Sequence, residues 1–299
     1  MNISEETFFS WSKGPGTTEA EKCANADKVV KKAIDASDEL NVLNISVFAQ
    51  GSYMARTNVR QDSDVDICVC CKEAFFADYP KGKSREEFGN VKSDFSYAEF
   101  KNMVGRALVD YFEGGVTRGN KAFDVHANTY RIDADVIPTL ERRLYTGRKN
   151  ADGSDHFLCG VAFVPDEGAR INNWPKQNYD SGNAKNDDCS RHYKRVVRII
   201  KRLRYKMEDQ GVKAASGIGS FLIESLVWNV PKEAFLHDTY TADVQYVLAH
   251  AFNNTRKDED CSDWREVNKI KYLFHAAQPW TREQVHTFLS AAWDYVGFE

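Results

Sequence analysis

A chain of 299 residues with 42% apolar residues holds enough material for one large domain or two modest ones around a substantial core. Its net charge of −4, from 40 Lys and Arg against 44 Asp and Glu, excludes a general attraction to a phosphate polymer. Any nucleotide must therefore be held by a local basic patch, and no stable nucleic-acid partner is expected. Seven cysteines, an odd number with Cys68, Cys70 and Cys71 crowded together, read as reduced thiols rather than as a disulfide framework or zinc site. The opening "MNISEETFFSWSKG" is acidic and lacks the apolar core of a signal peptide, and nowhere is there a run of ~18 apolar residues. A cytoplasmic protein without membrane attachment, acting as a monomer, is expected.

From Thr18 to about Leu40, residues Ala20, Cys23, Ala24, Ala26, Val30, Ala33 and Ile34 recur at mostly helical spacing and predict a long amphipathic helix. "VLNISVFAQG" then reads as a strand ending at Gly51, with "SYMARTN" as a short helix after it. "SDVDICVC" is a second strand, with Val65, Ile67 and Val69 on one face and Asp64, Asp66, Cys68 and Cys70 on the other. A helix is expected over Tyr97 to Phe112, followed by strands in "KAFDVHANT" and "YRIDADVIPTL", the latter ended by Pro138. "GSDHFLCGVAFVPDEGARI" suits a further hairpin. "NNWPKQNYDSGNAKNDD" reads as a polar loop and the domain boundary, with helical periodicity beyond it. The expected division is 1–165 and 166–299.

Residues two apart on a strand project from one face about 7 Å apart, so Asp64 and Asp66 can serve a common pair of cations. Hard carboxylate oxygens suit Mg²⁺ or Mn²⁺, with substrate phosphates completing the shell. "RIDADVIP" repeats the spacing with Asp133 and Asp135. Asp135 lies deeper in the apolar run and is the better third ligand or proton acceptor, whereas Asp133 reads as an exposed strand residue. Asp62, just before Ser63, reads as part of a turn. Gly51 lets backbone approach a triphosphate without a Cβ in the way, and Ser52 adds a hydroxyl. In "SRHYKRVVRIIKRLRYK" an apolar face of Tyr193, Val196, Val197, Ile200 and Leu203 adjoins a stripe of Lys194, Arg198 and Lys201, with Arg195, Arg202 and Arg204 read as solvated.

"GSYMARTNVRQDSDVDI" followed by "DADVIP" resembles the active-site pattern of the polymerase β-like nucleotidyltransferase superfamily. "INNWPKQNYDSGNAKN", "HYKRVVRIIKRLR" and "SFLIESLVWNVP", with the opening "FSWSKGPGTTEAEKCANADKVVKKAI", are similar to bacterial cGAS/DncV-like nucleotidyltransferases, the CD-NTases of CBASS anti-phage defence. The resemblance implies an α+β fold: a mixed sheet backed by helices, plus a C-terminal helical domain, with NTPs bound between them. It implies that Asp64, Asp66 and Asp135 hold two Mg²⁺ ions, that Gly51 and Ser52 hold the donor triphosphate, and that Lys194 or Lys201 reaches its phosphates. Asn172 or Asn173 would line a nucleobase pocket, where a side-chain amide suits uracil as well as a purine and hints at a pyrimidine substrate; a turn before Pro175 accounts for an asparagine equally well. The implied activity is synthesis of a cyclic oligonucleotide, with a cyclic dinucleotide favoured, that switches on a cyclic-nucleotide-responsive effector. A terminal nucleotidyltransferase acting on RNA or on a protein acceptor is the alternative.

Overall fold

Residues 3–59 and 64–299 are described by the structure, a computed structural model; Asp62 and Ser63 lie outside them. In chain order the elements are α1 (Glu5–Ser12), α2 (Thr17–Asp35), α3 (Asp38–Asn41), β1 (Ile45–Ala49), α4 (Gly51–Ala55), β2 (Val65–Asp78), α5 (Tyr97–Phe112), β3 (Val116–Arg118), β4 (Phe123–Val125), β5 (Ala134–Lys149), β6 (Asp155–Phe163) and β7 (Ile171–Asn173). Then follow α6 (Pro175–Asp188), α7 (Tyr193–Asp209), α8 (Ser220–Asn229), α9 (Tyr240–Asn254) and α10 (Arg282–Val296). Among the described residues no helix is long and apolar enough to cross a membrane.

Two compact units divide the chain, and neither is contiguous. Residues 17–53 and 64–175 form a sheet unit; 3–16, 54–59 and 176–299 form a helical unit. The contiguous ranges 1–165 and 166–299 differ from this division for physical reasons. Phe8 of α1 is buried in the helical unit's core with Tyr193 and Val197. Thr57 is fully buried and hydrogen-bonded to Glu224 and Lys201.

The sheet runs β1-β2-β5-β4-β3, with β6 pairing β5 and β7. β2 and β5 are parallel; the other pairs are antiparallel. Strand alternation sets the core. Val65, Ile67 and Val69 of β2 and Val136 and Leu140 of β5 pack against Cys23, Ala26, Val30 and Ile34 of α2 and Phe100, Val104 and Leu108 of α5. Each large aliphatic side chain so buried contributes about 1.5–3 kcal/mol. Asp66, between Val65 and Ile67, consequently projects from the opposite face of a strand the core requires.

β5 does not end at Pro138 but runs through it. One edge of β5 pairs β4 over Ala134–Val136 and β6 from Leu140 onward, so the proline sits where one partner hands over to the next. Its carbonyl accepts a hydrogen bond from the Tyr97 hydroxyl at 2.9 Å. A residue lacking an N–H is tolerated at such a gap.

In the helical unit the stretch read as a loop is α6, opening with Pro175 at the first helical position, where a missing N–H costs nothing. Its apolar content is low, and polar contacts fix it. Lys185 Nζ donates to the Val230 carbonyl, and Asn183 and Asn186 accept from Lys194. The arginines of α7 are not a solvated face. Arg202 donates to the Ser10 and Lys13 carbonyls at the C-terminal end of α1, Arg195 to the Tyr240 hydroxyl, and Arg204 to Glu208 and Ser220.

Candidate active site

β1 and β2 are antiparallel, with Ala49 opposite Ile67, and the Gln50 N–H donates to the Asp66 carbonyl at 2.8 Å. The chain therefore turns away beside Asp66. Gly51 makes that turn at φ +64°, and a Cβ there would overlap Asp66 Oδ2 and come within 2.9 Å of its Cγ. Only glycine satisfies both the left-handed backbone and the close approach.

Asp66 is the register partner of Asp135 across the parallel β2/β5 pair, and Asp135 is the register partner of Asp124 across β5/β4. Three carboxylates thus form a lateral row on adjacent strands, spaced about 4.8 Å apart in the backbone. Asp64 lies just before β2 and is exposed. The Asp66 carboxyl is pushed up to about 6, by burial first and then by the charges of Asp135 and Asp64. Burial also raises Asp135, followed by Asp124 and Asp133. Asp133 plays a separate part. Its Oδ1 accepts from the Ala127 N–H at 2.6 Å, and its carbonyl accepts from the Val65 N–H. Asp124 was not singled out from the sequence, although the alternation in "AFDV" places it opposite Phe123 and Val125, both buried.

Asn172 and Asn173 are consecutive on β7 and so point to opposite faces. Asn173 pairs Val161, which pairs Glu141, placing Asn173 on the face that carries Asp135. Asn172 pairs Ala162, partner of Leu140, on the core side, where its Oδ1 is buried without a protein partner.

Among the described residues no three His, Cys, Asp or Glu side chains lie close enough to hold an ion by themselves. The donor set nonetheless fits Mg²⁺. Its oxygens are hard, Asp66 is raised by burial and then by the negative charges of Asp135 and Asp64 that a cation would offset, and magnesium sites use one or two carboxylates with substrate phosphates supplying the rest.

A model for the cGAS/DncV-like nucleotidyltransferase C-terminal helical domain matches residues 180–297. The cyclic dipyrimidine nucleotide synthase CdnE of Legionella pneumophila is 43% identical over 295 residues, covering 98% of this chain and 97% of that protein. The chain belongs to the cGAS/DncV-like nucleotidyltransferases, the CD-NTases. The cyclic dipyrimidine nucleotide synthase CdnE of Cecembia lonarensis is 39% identical, with 98% of each chain covered. The structure of Rhodothermus marinus CdnE c-UMP-AMP synthase with Apcpp and Upnpp superposes with a TM-score of 0.84 at 31% identity, covering 99% of this chain and 97% of that one.

Within this CD-NTase the two lysines singled out on α7 lie in the helical unit and differ. Lys194 is 6% exposed, donates to Asn183 Oδ1 and lies 5.9 Å from the Tyr179 ring centroid; burial lowers its pKa. Lys201 is 1% exposed. Its ammonium donates to the Thr57 carbonyl at 3.1 Å, Thr57 Oγ1 at 3.2 Å and Glu224 Oε2 at 3.5 Å. An ammonium has three donors, and all three are spent inside the protein. Lys201, expected at the donor phosphates, is thus committed to an internal network whose acidic partner lies on another helix.

Proposed function

We propose that this CD-NTase is a cyclic dipyrimidine nucleotide synthase. It joins pyrimidine nucleoside triphosphates, a ribose hydroxyl oxygen bonding to the α-phosphorus of the donor as the bond to the β-phosphate breaks and pyrophosphate leaves. A second round closes the ring. The reading is carried by the facing pair Asp66 and Asp135 with the Gly51 backbone against Asp66. Support for the bases comes from the two CdnE relatives named as dipyrimidine synthases and from Asn173 on the carboxylate face.

Gly51 and Ser52 seat the donor triphosphate, close to Asp66. Asp64, Asp66 and Asp135 would hold two Mg²⁺ ions, or Mn²⁺, which when bound neutralise phosphate charge and acidify the attacking hydroxyl. Asp135, with its raised pKa, accepts the hydroxyl proton. The Asn173 amide offers a donor and an acceptor, matching the O4 acceptor and N3–H donor of uracil. Family membership supports a further step, in which the product is a messenger bound by a separate effector during anti-phage defence. Free thiols at all seven cysteines suit the cytoplasm.

The test is incubation with Mg²⁺ and defined NTP sets, followed by phosphatase digestion and mass spectrometry. A phosphatase-resistant dinucleotide from pyrimidine NTPs alone is expected. Extension of an added RNA with no cyclic product overturns the reading.

A further inference from the structure

Arg56 and Thr57, which follow the Gly51–Ser52 turn and α4, are held by side chains of α7 and α8. Arg56 adopts φ +55°, a left-handed conformation uncommon outside glycine, and its carbonyl accepts from Arg198 Nη1 at 2.7 Å. One helical turn further along α7, Lys201 donates to both the carbonyl and the hydroxyl of Thr57. The Thr57 hydroxyl in turn donates to Glu224 Oε2 of α8 at 2.7 Å. The Tyr193 hydroxyl also donates to the Glu224 backbone carbonyl at 3.3 Å. Two successive backbone carbonyls and one hydroxyl are thus gripped from one side.

We propose that Lys201, Glu224 and Thr57 act as a positioning clamp, fixing the backbone at Arg56 and Thr57, directly after the helix that opens with the donor-triphosphate turn. Several observations point beyond ordinary packing. A buried Lys–Glu pair is an uneconomical way to stabilise a core, since apolar residues of the same volume do so at no desolvation cost. Here the pair is bridged by a hydroxyl on a loop residue, and all three ammonium donors are used on that loop and on Glu224. The left-handed Arg56 is held in place by Arg198, on the same face of the same helix. Such residues over-determine the backbone at Arg56 and Thr57, which follows α4 and the phosphate turn. Displacement of a reacting group by about 1 Å costs on the order of a hundredfold in rate, so small relaxations of this backbone register in turnover.

This assignment rests on the reading of Gly51, Ser52, Asp64, Asp66 and Asp135 as the transfer site. Lys201 then acts through Thr57 and not on phosphate, which separates it experimentally from a substrate ligand. Steady-state kinetics of wild type, Thr57→Val, Thr57→Ser and the double variant Lys201→Met/Glu224→Gln, at a temperature where circular dichroism shows each folded, distinguish the roles. Thr57→Val keeps shape and removes the hydroxyl. Its kcat should fall about tenfold with the nucleotide KM within about threefold, while Thr57→Ser should restore most of the turnover. The double variant leaves no unpaired buried charge and should show the same loss in kcat.

Wild-type kcat in Thr57→Val overturns the clamp. So does a double variant whose KM rises more than tenfold at unchanged kcat, since that is the signature of lost phosphate contact. A wild-type protein that makes no nucleotide product overturns the transfer reading and this assignment with it; activity in wild type and Thr57→Val alike overturns the clamp alone.

Discussion

Asp66 and Asp135 are register partners on adjacent parallel strands, so two acids project side by side from the face opposite the core. The folded protein bears a cost for this. Asp66 titrates at about 6, above the ordinary carboxyl value near 4, because burial and the charges of Asp135 and Asp64 disfavour ionisation. Between those pH values the folded state binds more protons than the unfolded chain, so stability declines as pH rises from about 4 to about 6 and stays reduced above. The loss is on the order of 3 kcal/mol. In chelator at pH 7.5, Asp66→Asn should raise the midpoint of thermal unfolding by about 5 °C, with the gain shrinking toward pH 4.5. Mg²⁺ with NTP should stabilise wild type more than the variant, which should not turn over. A variant less stable than wild type in chelator at pH 7.5 contradicts this account of Asp66.

Gly51 answers to two constraints at once, a positive φ and contact with Asp66. Alanine there strains the backbone by about 1–2 kcal/mol and drives a methyl group into the carboxylate. The rest of the sheet does not depend on this residue, so Gly51→Ala should fold, with kcat/KM for NTPs down about a hundredfold. Activity within threefold of wild type would show that the approach of backbone to Asp66 has no bearing on transfer.

Asp133 and Asp135 share a motif but not a role. Asp133 holds the Ala127 N–H, a bond that an asparagine carbonyl can also accept, whereas Asp135 stands between Asp66 and Asp124. Asp133→Asn should retain at least about a third of wild-type turnover. Asp135→Asn should lose a thousandfold or more, as expected when a charged group at the reacting centre is neutralised. Comparable losses in both variants would merge the two roles.

Much of the sheet unit was legible because strand alternation is local. Val65, Asp66 and Ile67 declare their faces without reference to anything else, and the expected bounds of α5 are those observed. What escaped depended on partners remote in sequence. α6 lacks an apolar stripe and is held by Lys194 and Val230. Pro138 is tolerated only because β4 and β6 meet at its level. Lys201 reads as a cation for the donor phosphates until Glu224 and Thr57 are beside it. Asp124 was readable as an outward residue, but its proximity to Asp135 required knowing that β4 pairs β5.

The residue proposed to read the base was the least legible, since "INNWP" offers two adjacent asparagines with identical chemistry. Register separates them: Asn173 shares the face of Asp135, and Asn172 turns toward the core. Truncating Asn173 removes a donor and an acceptor from the proposed base contact. Asn173→Ala should lower kcat/KM for pyrimidine NTPs about tenfold and reduce the pyrimidine share of products made from an equimolar mixture of all four NTPs. Asn172→Ala removes a side chain whose Oδ1 is already without a protein partner, so base preference should remain that of wild type. Mass spectrometry of the mixed-substrate products decides between them. A changed base preference in Asn172→Ala, with Asn173→Ala unaltered, would place the nucleobase on the other face of β7 and undo the assignment.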